Sequence, residues 1–214
     1  MAQKKIARLT ETAPLKWGDA QNLLKLLKAD AKHETRLLFA LGFYTGLRIS
    51  DILRLKWGDI LGEKEIVLKE RKTGKTRKIQ VNQDLAEIID EAALNLHPAP
   101  EHVKRQNKGV NVGWVDPEGY LFTSKKGPAI GQPLTVVGAN LRIRDTLQVY
   151  GIKTQNPSSH CLRKTFARRV YEVNHQSEAA LILLSQILNH GNPAVTRRYI
   201  GLTAEVVADA YLSL

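Results

Sequence analysis

Segment 159–163 of this chain, Ser-His-Cys-Leu-Arg, combines two side chains that could act together on an anion. His160 and Arg163 are three residues apart, a spacing that puts both on one face of a helix. A guanidinium can bind an anionic group through two hydrogen bonds, and an imidazole can give or accept a proton near neutral pH. Taken alone, such a pair on a helix surface is more often accidental than functional.

A second histidine and a tyrosine follow towards the C-terminus. His190 lies in a Leu-Asn-His-Gly turn, and Tyr199 comes directly after Arg197 and Arg198. A phenol has a pKa near 10 and becomes a useful nucleophile only where cations stabilise its oxyanion. The same tyrosine could instead be a core residue and the same histidine a helix cap, so this pattern alone leaves both interpretations open.

The first half of the chain offers an arginine and a lysine suited to binding phosphate. Gly46 allows a tight turn that presents Arg48 at the start of a helix, where Asp51 could hydrogen-bond the guanidinium. Lys72 lies in the turn of a predicted hairpin, where it can reach a ligand, and Lys75 on the same turn could serve in its place. The alternatives are a surface ion pair worth about a few tenths of a kcal/mol for the arginine and the aspartate, and a solvated charge for the lysine.

The elements that must position these residues are mostly helices. Apolar residues recur at helical spacing along most of the chain. The predicted helices cover about 17–30, 34–45, 135–150, 159–174, 178–188 and 203–213, with a short helix capped by Ser50, one capped by Asn82 or Asp84 and running through Leu94, and one beginning at Asn192-Pro193.

One short region changes to strand-like alternation. Residues 65–69 and 77–81 read as two strands joined through the turn at 72–75, which predicts a β-hairpin, and 120–123 read as a further short strand. Residues 97–119 are rich in proline and glycine and predict a long loop. We therefore expect an α+β fold that is mainly α-helical with a small antiparallel β-sheet.

Charge indicates the class of partner. Lysine and arginine number 32 against 21 aspartates and glutamates, a formal net charge of +11, which is typical of a protein that binds a polyanion. No apolar run is long enough for a membrane span or a secretory signal, and one cysteine excludes an internal disulfide and a cysteine-based zinc site. The positive charge is concentrated in two clusters: Lys64, Lys69, Arg71, Lys72, Lys75, Arg77 and Lys78, and then Arg163, Lys164, Arg168 and Arg169.

The order and spacing of five segments resemble the tyrosine recombinase (phage integrase) family. These segments are TGLRISDIL, the hairpin lysine, the H-x-x-R helix, the L-N-H-G turn and the R-R-Y-I-G ending, and the resemblance runs from about Leu15 to Tyr199. It implies the tyrosine recombinase catalytic-domain fold over 15–214, after a polar arm over 1–14 that leaves no room for the N-terminal core-binding domain found in many members. Asn189 stands where the family commonly has glycine, and we expect the turn to survive because asparagine tolerates the left-handed conformation.

The resemblance also implies a role for each residue of the site. Tyr199 would attack the scissile phosphate and form a 3′-phosphotyrosyl link, and Lys72 would protonate the departing 5′ oxygen. The implied catalytic set is Arg48 and Arg163 as clamps on the non-bridging oxygens, His190 as a further phosphate ligand, Lys72 as general acid, His160 as acceptor of the phenolic proton and Tyr199 as nucleophile, with Asp51 in a supporting position. The residues expected to bind DNA are Lys69, Arg71, Lys75, Arg77, Lys164, Arg197 and Arg198.

The function implied is site-specific DNA recombination or integration, with no metal ion and no cofactor. The partner would be double-stranded DNA at a specific recombination site, bound by a homotetramer of chains that can be monomeric in solution, with no role for a membrane. The place of action would be the cytoplasm, at the nucleoid, in a bacterial, phage or plasmid-borne context.

Two other functions fit the same residues. One is DNA relaxation like that of a type IB topoisomerase, and the other is a catalytically silent DNA-binding protein of the same fold. The apolar stripe over 206–214 could pack on its own domain or on a neighbouring protomer.

Overall fold

A computed structural model of the protein describes residues 12–97, 114–125, 130–202 and 211–212. These residues form an α+β fold that is mainly helical, with one two-stranded antiparallel sheet, as the sequence predicts. The helices are α1 (Trp17–Ala29), α2 (His33–Thr45), α3 (Ile49–Ile52), α4 (Gln83–Leu96), α5 (Val136–Val149), α6 (Ser159–Val173), α7 (Glu178–Leu188) and α8 (Pro193–Tyr199); the strands are β1 (Glu65–Lys69) and β2 (Thr76–Gln80), and a short 3₁₀ turn covers Trp57–Asp59.

Side-chain caps fix where several of these helices begin. Asn82 accepts the backbone N–H of Leu85 at the start of α4, and Asn192 accepts the backbone N–H of Val195 at the start of α8. Both caps are predicted from the sequence and confirmed here. The cap predicted at Ser50 is wrong, because α3 begins at Ile49 and Arg48 occupies the capping position.

The core is built around α2. Its large apolar residues are buried on every side, because the helix packs between α1, α4 and α6. A second, smaller group of buried residues joins α7 and α8 to the C-terminal half of α6, and includes Leu181, Leu184, Leu188 and Ile200. Burying one such side chain is worth roughly 1.5–3 kcal/mol, so each group holds its own helices in place.

One region departs from the sequence-based expectation, and two others lie mostly outside the described residues. The strand expected over 120–123 is replaced by isolated bridges between Lys56 and Tyr120 and between Thr123 and Pro133. Proline has no N–H to extend such a ladder. Most of the loop expected over 97–119, and most of the C-terminal helix expected over 203–213, lie outside the described residues.

The described end of the N-terminal arm runs beside the start of α6. The Ala13 N–H donates to the Gln155 carbonyl, and the Thr12 hydroxyl lies 3.0 Å from that of Ser158, the N-cap of α6. The Leu15 N–H donates to the Thr165 hydroxyl inside the protein. These bonds attach the arm to the helix that carries His160 and Arg163. Over the residues described, no helix is long and apolar enough to cross a bilayer.

Candidate active site

Arg163 links the two buried groups of the core. It lies one turn into α6 with only 3 % of its surface exposed. Its Nη1 donates to the Gly46 carbonyl at 2.5 Å and its Nη2 to the Leu188 carbonyl at 2.8 Å, so the ends of α2 and α7 fix the guanidinium from two sides. Burial lowers the pKa of Arg163 to about 10, which still leaves it charged at neutral pH. The site therefore contains a permanent, immobilised cation.

Arg48 brings a second guanidinium to the same place. Its Nη1 donates to Glu70 Oε2 at 2.8 Å, and its Nη2 lies 3.5 Å from the same Leu188 carbonyl that Arg163 binds. The expected partner, Asp51, instead accepts the backbone N–H of Arg71 at 2.9 Å and fastens the hairpin to α3. The contact predicted between Arg48 and Asp51 is therefore wrong, because the Arg48 guanidinium binds the carboxylate of Glu70 in the hairpin instead.

Glu70 is the residue that sequence reasoning missed. Its side chain has no exposed surface, and Oε2 accepts hydrogen bonds from Arg48, from Thr73 at 2.8 Å and from Asn189 at 3.2 Å. Burial opposes ionisation, but these hydrogen bonds outweigh it and lower the pKa of Glu70 to about 2. One ionised carboxylate thus joins three segments of the site. The only signal in the sequence is a glutamate placed between Lys69 and Arg71, within a run of basic residues.

His190 follows the left-handed end of α7. Asn189 has φ 57° and ψ 44°, so the turn predicted with asparagine in the place of glycine is confirmed. His190 Nδ1 lies 2.9 Å from the hydroxyl of Thr196, which is fully buried and lies 3.0 Å from the Ser185 hydroxyl. Burial, together with the cations Arg163, Arg48 and Lys72, lowers the pKa of His190 to about 4. The imidazole is therefore neutral at physiological pH.

Tyr199 ends α8 beside these groups. Its ring meets the His190 ring edge-on with centroids 5.1 Å apart, and Lys164 Nζ lies 5.1 Å from the ring centre. The hydroxyl is buried and makes no hydrogen bond of ordinary geometry with any described residue. Burial raises the pKa of Tyr199 to about 12, although Arg163 and Arg48 act in the opposite direction. The phenol is thus protonated and needs a proton acceptor before it can react.

His160 and Lys72 reach the site from its exposed side. Partial desolvation lowers the pKa of His160, and the charges of Arg163, Lys164, Lys72 and Arg48 act in the same sense. The charge of Lys72 acts on His190 as well, although its turn is exposed. Lys75 instead donates to the side-chain oxygen of Asn189 at 3.1 Å. The charge of Lys72 therefore acts on both histidines, whereas Lys75 is hydrogen-bonded to the residue before His190.

The residues expected to bind DNA divide into a group held inside the protein and an exposed group. Arg77 and Lys164 form the first group and depart from the expectation. The Arg77 guanidinium donates to the Thr45 carbonyl at 2.7 Å and lies 3.5 Å from Glu70, and Lys164 is 4 % exposed. The exposed group consists of Lys69, Arg71, Lys75, Arg197 and Arg198, of which Arg197 is paired with Glu178 at 2.7 Å.

The chemistry available here is that of a compact cluster of cationic side chains. Two guanidiniums meet at the carbonyl of Leu188, with a neutral imidazole and a phenol beside them. Such donors suit the non-bridging oxygens of a phosphodiester in its transition state. Across the described part of the chain, no three histidine, cysteine, aspartate or glutamate side chains are grouped as metal ligands.

Comparison with known proteins identifies the family of this chain. The profile of the phage integrase family matches residues 6–205. The probable integrase/recombinase YoeC of Bacillus subtilis is 30% identical over 174 residues, covering 81% of either chain. The tyrosine recombinase XerH of Campylobacter jejuni is 27% identical over 176 residues, which are 80% of this chain but 43% of XerH.

Solved structures of recombinases show the same fold. XerH bound to palindromic difH DNA after cleavage superimposes with a TM-score of 0.62 at 21% identity, covering 97% of this chain and 55% of that one. The XerA recombinase superimposes with a TM-score of 0.64 at 22% identity, covering 95% and 65%. The chain thus spans about half of XerH and about two thirds of XerA, and its fold is that of a tyrosine recombinase catalytic domain.

Proposed function

Because this chain belongs to the phage integrase family, we propose that it cuts and rejoins duplex DNA at a specific site through a covalent bond to Tyr199. The observation that carries the proposal is the meeting of Arg48 and Arg163 at one backbone carbonyl, with the phenol and His190 beside them. The arginines and the imidazole can neutralise the charge that develops on a phosphate under attack. The basic surface would hold the DNA.

The proposed reaction gives each of these residues one role. The Tyr199 oxygen attacks the scissile phosphorus, its proton passes to His160, and a P–Oη bond forms as the P–O5′ bond breaks. The departing 5′ oxygen takes a proton from Lys72 and becomes a hydroxyl. Rejoining is the reverse, with a 5′-hydroxyl attacking the phosphotyrosine. The phosphodiester energy is conserved in the covalent link, so the cycle needs no nucleotide cofactor.

DNA must rearrange the free site before this chemistry can start. The Tyr199 hydroxyl is buried and its pKa is raised to about 12. A phosphate bound between Arg48 and Arg163 would compete with the phenol for the charge of these two arginines. Tyr199 is the last residue of α8, a helix of only seven residues. Catalytic contacts that form fully only with substrate are common.

The partner proposed is double-stranded DNA carrying a recombination site. XerH has been solved with its difH substrate, and lambda integrase as a dimer on a core site. The resemblance to the tyrosine recombinase family supports a further proposal, that this chain acts on DNA as a homotetramer. DNA as substrate would place the activity at the nucleoid in the cytoplasm.

A covalent-trapping assay tests the proposal. Protein is incubated in EDTA with duplexes that carry candidate sites and a nick just 3′ of the scissile phosphate, so that the released piece diffuses away. A denaturation-resistant adduct is expected with the natural chain and with Tyr211→Phe, whose tyrosine is 77% exposed and outside the site. It is expected to be absent with Tyr199→Phe, which loses only the nucleophilic oxygen.

Two outcomes would contradict the proposal. An adduct that persists in Tyr199→Phe would mean that another residue is the nucleophile. Specific DNA binding without any adduct would favour a catalytically silent DNA-binding protein of the same fold.

A further inference from the structure

We propose that Ser185 and Thr196 form a relay of two hydroxyls that positions His190 by fixing which ring nitrogen carries its proton. The inference rests on the proposed function, in which His190 binds the scissile phosphate. Neither hydroxyl touches the substrate in this scheme, so both are positioning residues. They act through the imidazole.

The relay is built from buried contacts. Thr196 lies on α8 with no exposed surface, and its hydroxyl is 2.9 Å from His190 Nδ1 and 3.0 Å from the Ser185 hydroxyl. Ser185 lies on α7, is 7% exposed and also accepts the backbone N–H of His190 at 2.9 Å through its carbonyl. The backbone of His190 is therefore held by α7 and its ring by α8.

The direction of the relay follows from its hydrogens. Each hydroxyl has one hydrogen to donate. If Ser185 donates to Thr196 and Thr196 donates to Nδ1, both hydrogens are used and every contact is satisfied. In the opposite direction Nδ1–H donates to Thr196 and Thr196 donates to Ser185. The Ser185 hydrogen would then need another acceptor, and no other described residue is hydrogen-bonded to that hydroxyl. A buried donor without an acceptor is costly, so the first direction is favoured.

This direction determines the chemistry of the ring. A neutral imidazole carries a single N–H, and an occupied Nδ1 lone pair leaves that proton on Nε2. His190 is neutral at physiological pH, since burial and the surrounding cations lower its pKa to about 4. The charges of Arg163, Arg48 and Lys72 act on this ring, and Nε2–H is the donor left to meet a phosphate oxygen beside them. The other tautomer would present a lone pair there and repel the phosphate.

The test begins with the free protein, without DNA. Chains labelled with ¹⁵N in histidine are examined by two-bond ¹H–¹⁵N correlation spectra at pH 7.5, whose patterns distinguish Nε2–H from Nδ1–H. The His190 signals are identified by their loss in His190→Gln. We expect Nε2–H in the natural chain and a population with Nδ1–H in Thr196→Val, which keeps the shape of the side chain but has no hydroxyl.

Single-turnover cleavage gives a second readout. One transition-state hydrogen bond of this kind is worth ~10²–10³ in rate, so we expect Thr196→Val to lose about 10- to 100-fold, a part of that. DNA affinity should stay nearly unchanged, because one misaligned donor among several phosphate contacts adds little to binding. A merely structural defect would lower stability without changing the tautomer.

Three further variants serve as controls. Thr196→Ser keeps the hydroxyl and should restore both the tautomer and most of the rate. Ser185→Ala removes only the outer hydroxyl and should shift the tautomer in the same direction by less; it carries the test if Thr196→Val does not fold. Thr146→Val removes a hydroxyl that donates to the Arg142 carbonyl on α5, far from the site in sequence, and should change neither readout.

The outcomes separate this inference from the proposed function. Nδ1–H in the natural chain, or Nε2–H and an unchanged rate in both Thr196→Val and Ser185→Ala, would overturn the relay. A natural chain that forms no covalent adduct would overturn the proposed function, whatever tautomer its spectra show.

Discussion

Glu70 shows how single residues set the charge of this site. Arg48 and Arg77 both lie within 3.5 Å of its carboxylate, and Arg163 is fixed nearby by carbonyls. Several guanidiniums cannot be brought together away from water without a counter-charge. Because Glu70 also binds Thr73 and Asn189, the same carboxylate orients the hairpin turn and the turn before His190.

Replacing Glu70 with glutamine should lower both stability and cleavage. The pKa of Glu70 is about 2 in the folded protein and ~4.3 in an unfolded chain. The ionised carboxylate therefore stabilises the fold above pH ~4.3, and this contribution disappears as the pH falls towards 2. We expect Glu70→Gln to cost on the order of 2–4 kcal/mol at pH 7 and clearly less at pH 3, as measured by urea unfolding.

Glu65→Gln is the matched control for that substitution. Glu65 begins the same hairpin, but its ion-pair partner is Lys78 and its side chain is 31% exposed, so a change of at most about 0.5 kcal/mol is expected. An equal loss for Glu70→Gln at pH 3 and pH 7 would show that the ionised form gives no special stabilisation.

Sequence reasoning found the residues that we propose act on a phosphate, but not the residues that hold them in place. His160 and Arg163 are recognisable because helical spacing puts them on one face, and Tyr199 because arginines precede it. Glu70 and Thr196 are ordinary residue types whose partners come from distant segments. Spacing along one element cannot predict such contacts, which depend on how the elements pack.

At the scale of elements, the end of α2 couples the core to the site. Gly46 ends the helix in the left-handed conformation with φ 58°, and its carbonyl accepts a hydrogen bond from Arg163. A Cβ added at Gly46 would lie 2.3 Å from the ring of Phe166 on α6. The helix end must therefore be a glycine both for its conformation and for its close approach to α6.

A pair of glycine substitutions separates these two requirements. Gly62 also has a positive φ, 75°, but nothing lies within 4 Å of an added Cβ. Gly62→Ala should cost about 1–2 kcal/mol through conformation alone. Gly46→Ala should cost more in urea unfolding because it also displaces Phe166, and it should slow cleavage because the carbonyl that fixes Arg163 moves. Equal losses of stability with normal cleavage would contradict this role for Gly46.

The hairpin, the helices and the Asn189 turn could be predicted from the sequence because local patterns specify them. The strand predicted over 120–123 does not form, and local patterns could not show this. A strand exists only if a partner with free backbone groups lies beside it. Here the neighbouring segment supplies Pro133 and only isolated bridges form.

At the scale of the whole molecule, a net charge of +11 accompanies a site assembled where two buried groups meet. Charge alone does not say which basic residues face DNA. Arg71 is exposed, whereas Arg77, six residues later on the same hairpin, is turned towards Thr45 and Glu70. The sequence predicts both as DNA ligands because it cannot show which of them serves as a structural cation.

Salt dependence of DNA binding should distinguish these two arginines. Removing one cation that binds a DNA phosphate lowers the slope of log K against log salt concentration by about 1. We expect Arg71→Ala to reduce the slope by that amount with unchanged stability. Arg77→Ala should leave the slope unchanged but lower the free energy of unfolding by on the order of 1–3 kcal/mol, because the Thr45 carbonyl would lose its donor and Glu70 would lose one of its two arginine partners. Binding titrations between about 50 and 200 mM salt measure the slope, and urea unfolding measures the stability.

The reverse result, with the slope changed only by Arg77→Ala, would mean that the Arg77 side chain leaves the interior to bind DNA and that the hairpin changes its structure on binding.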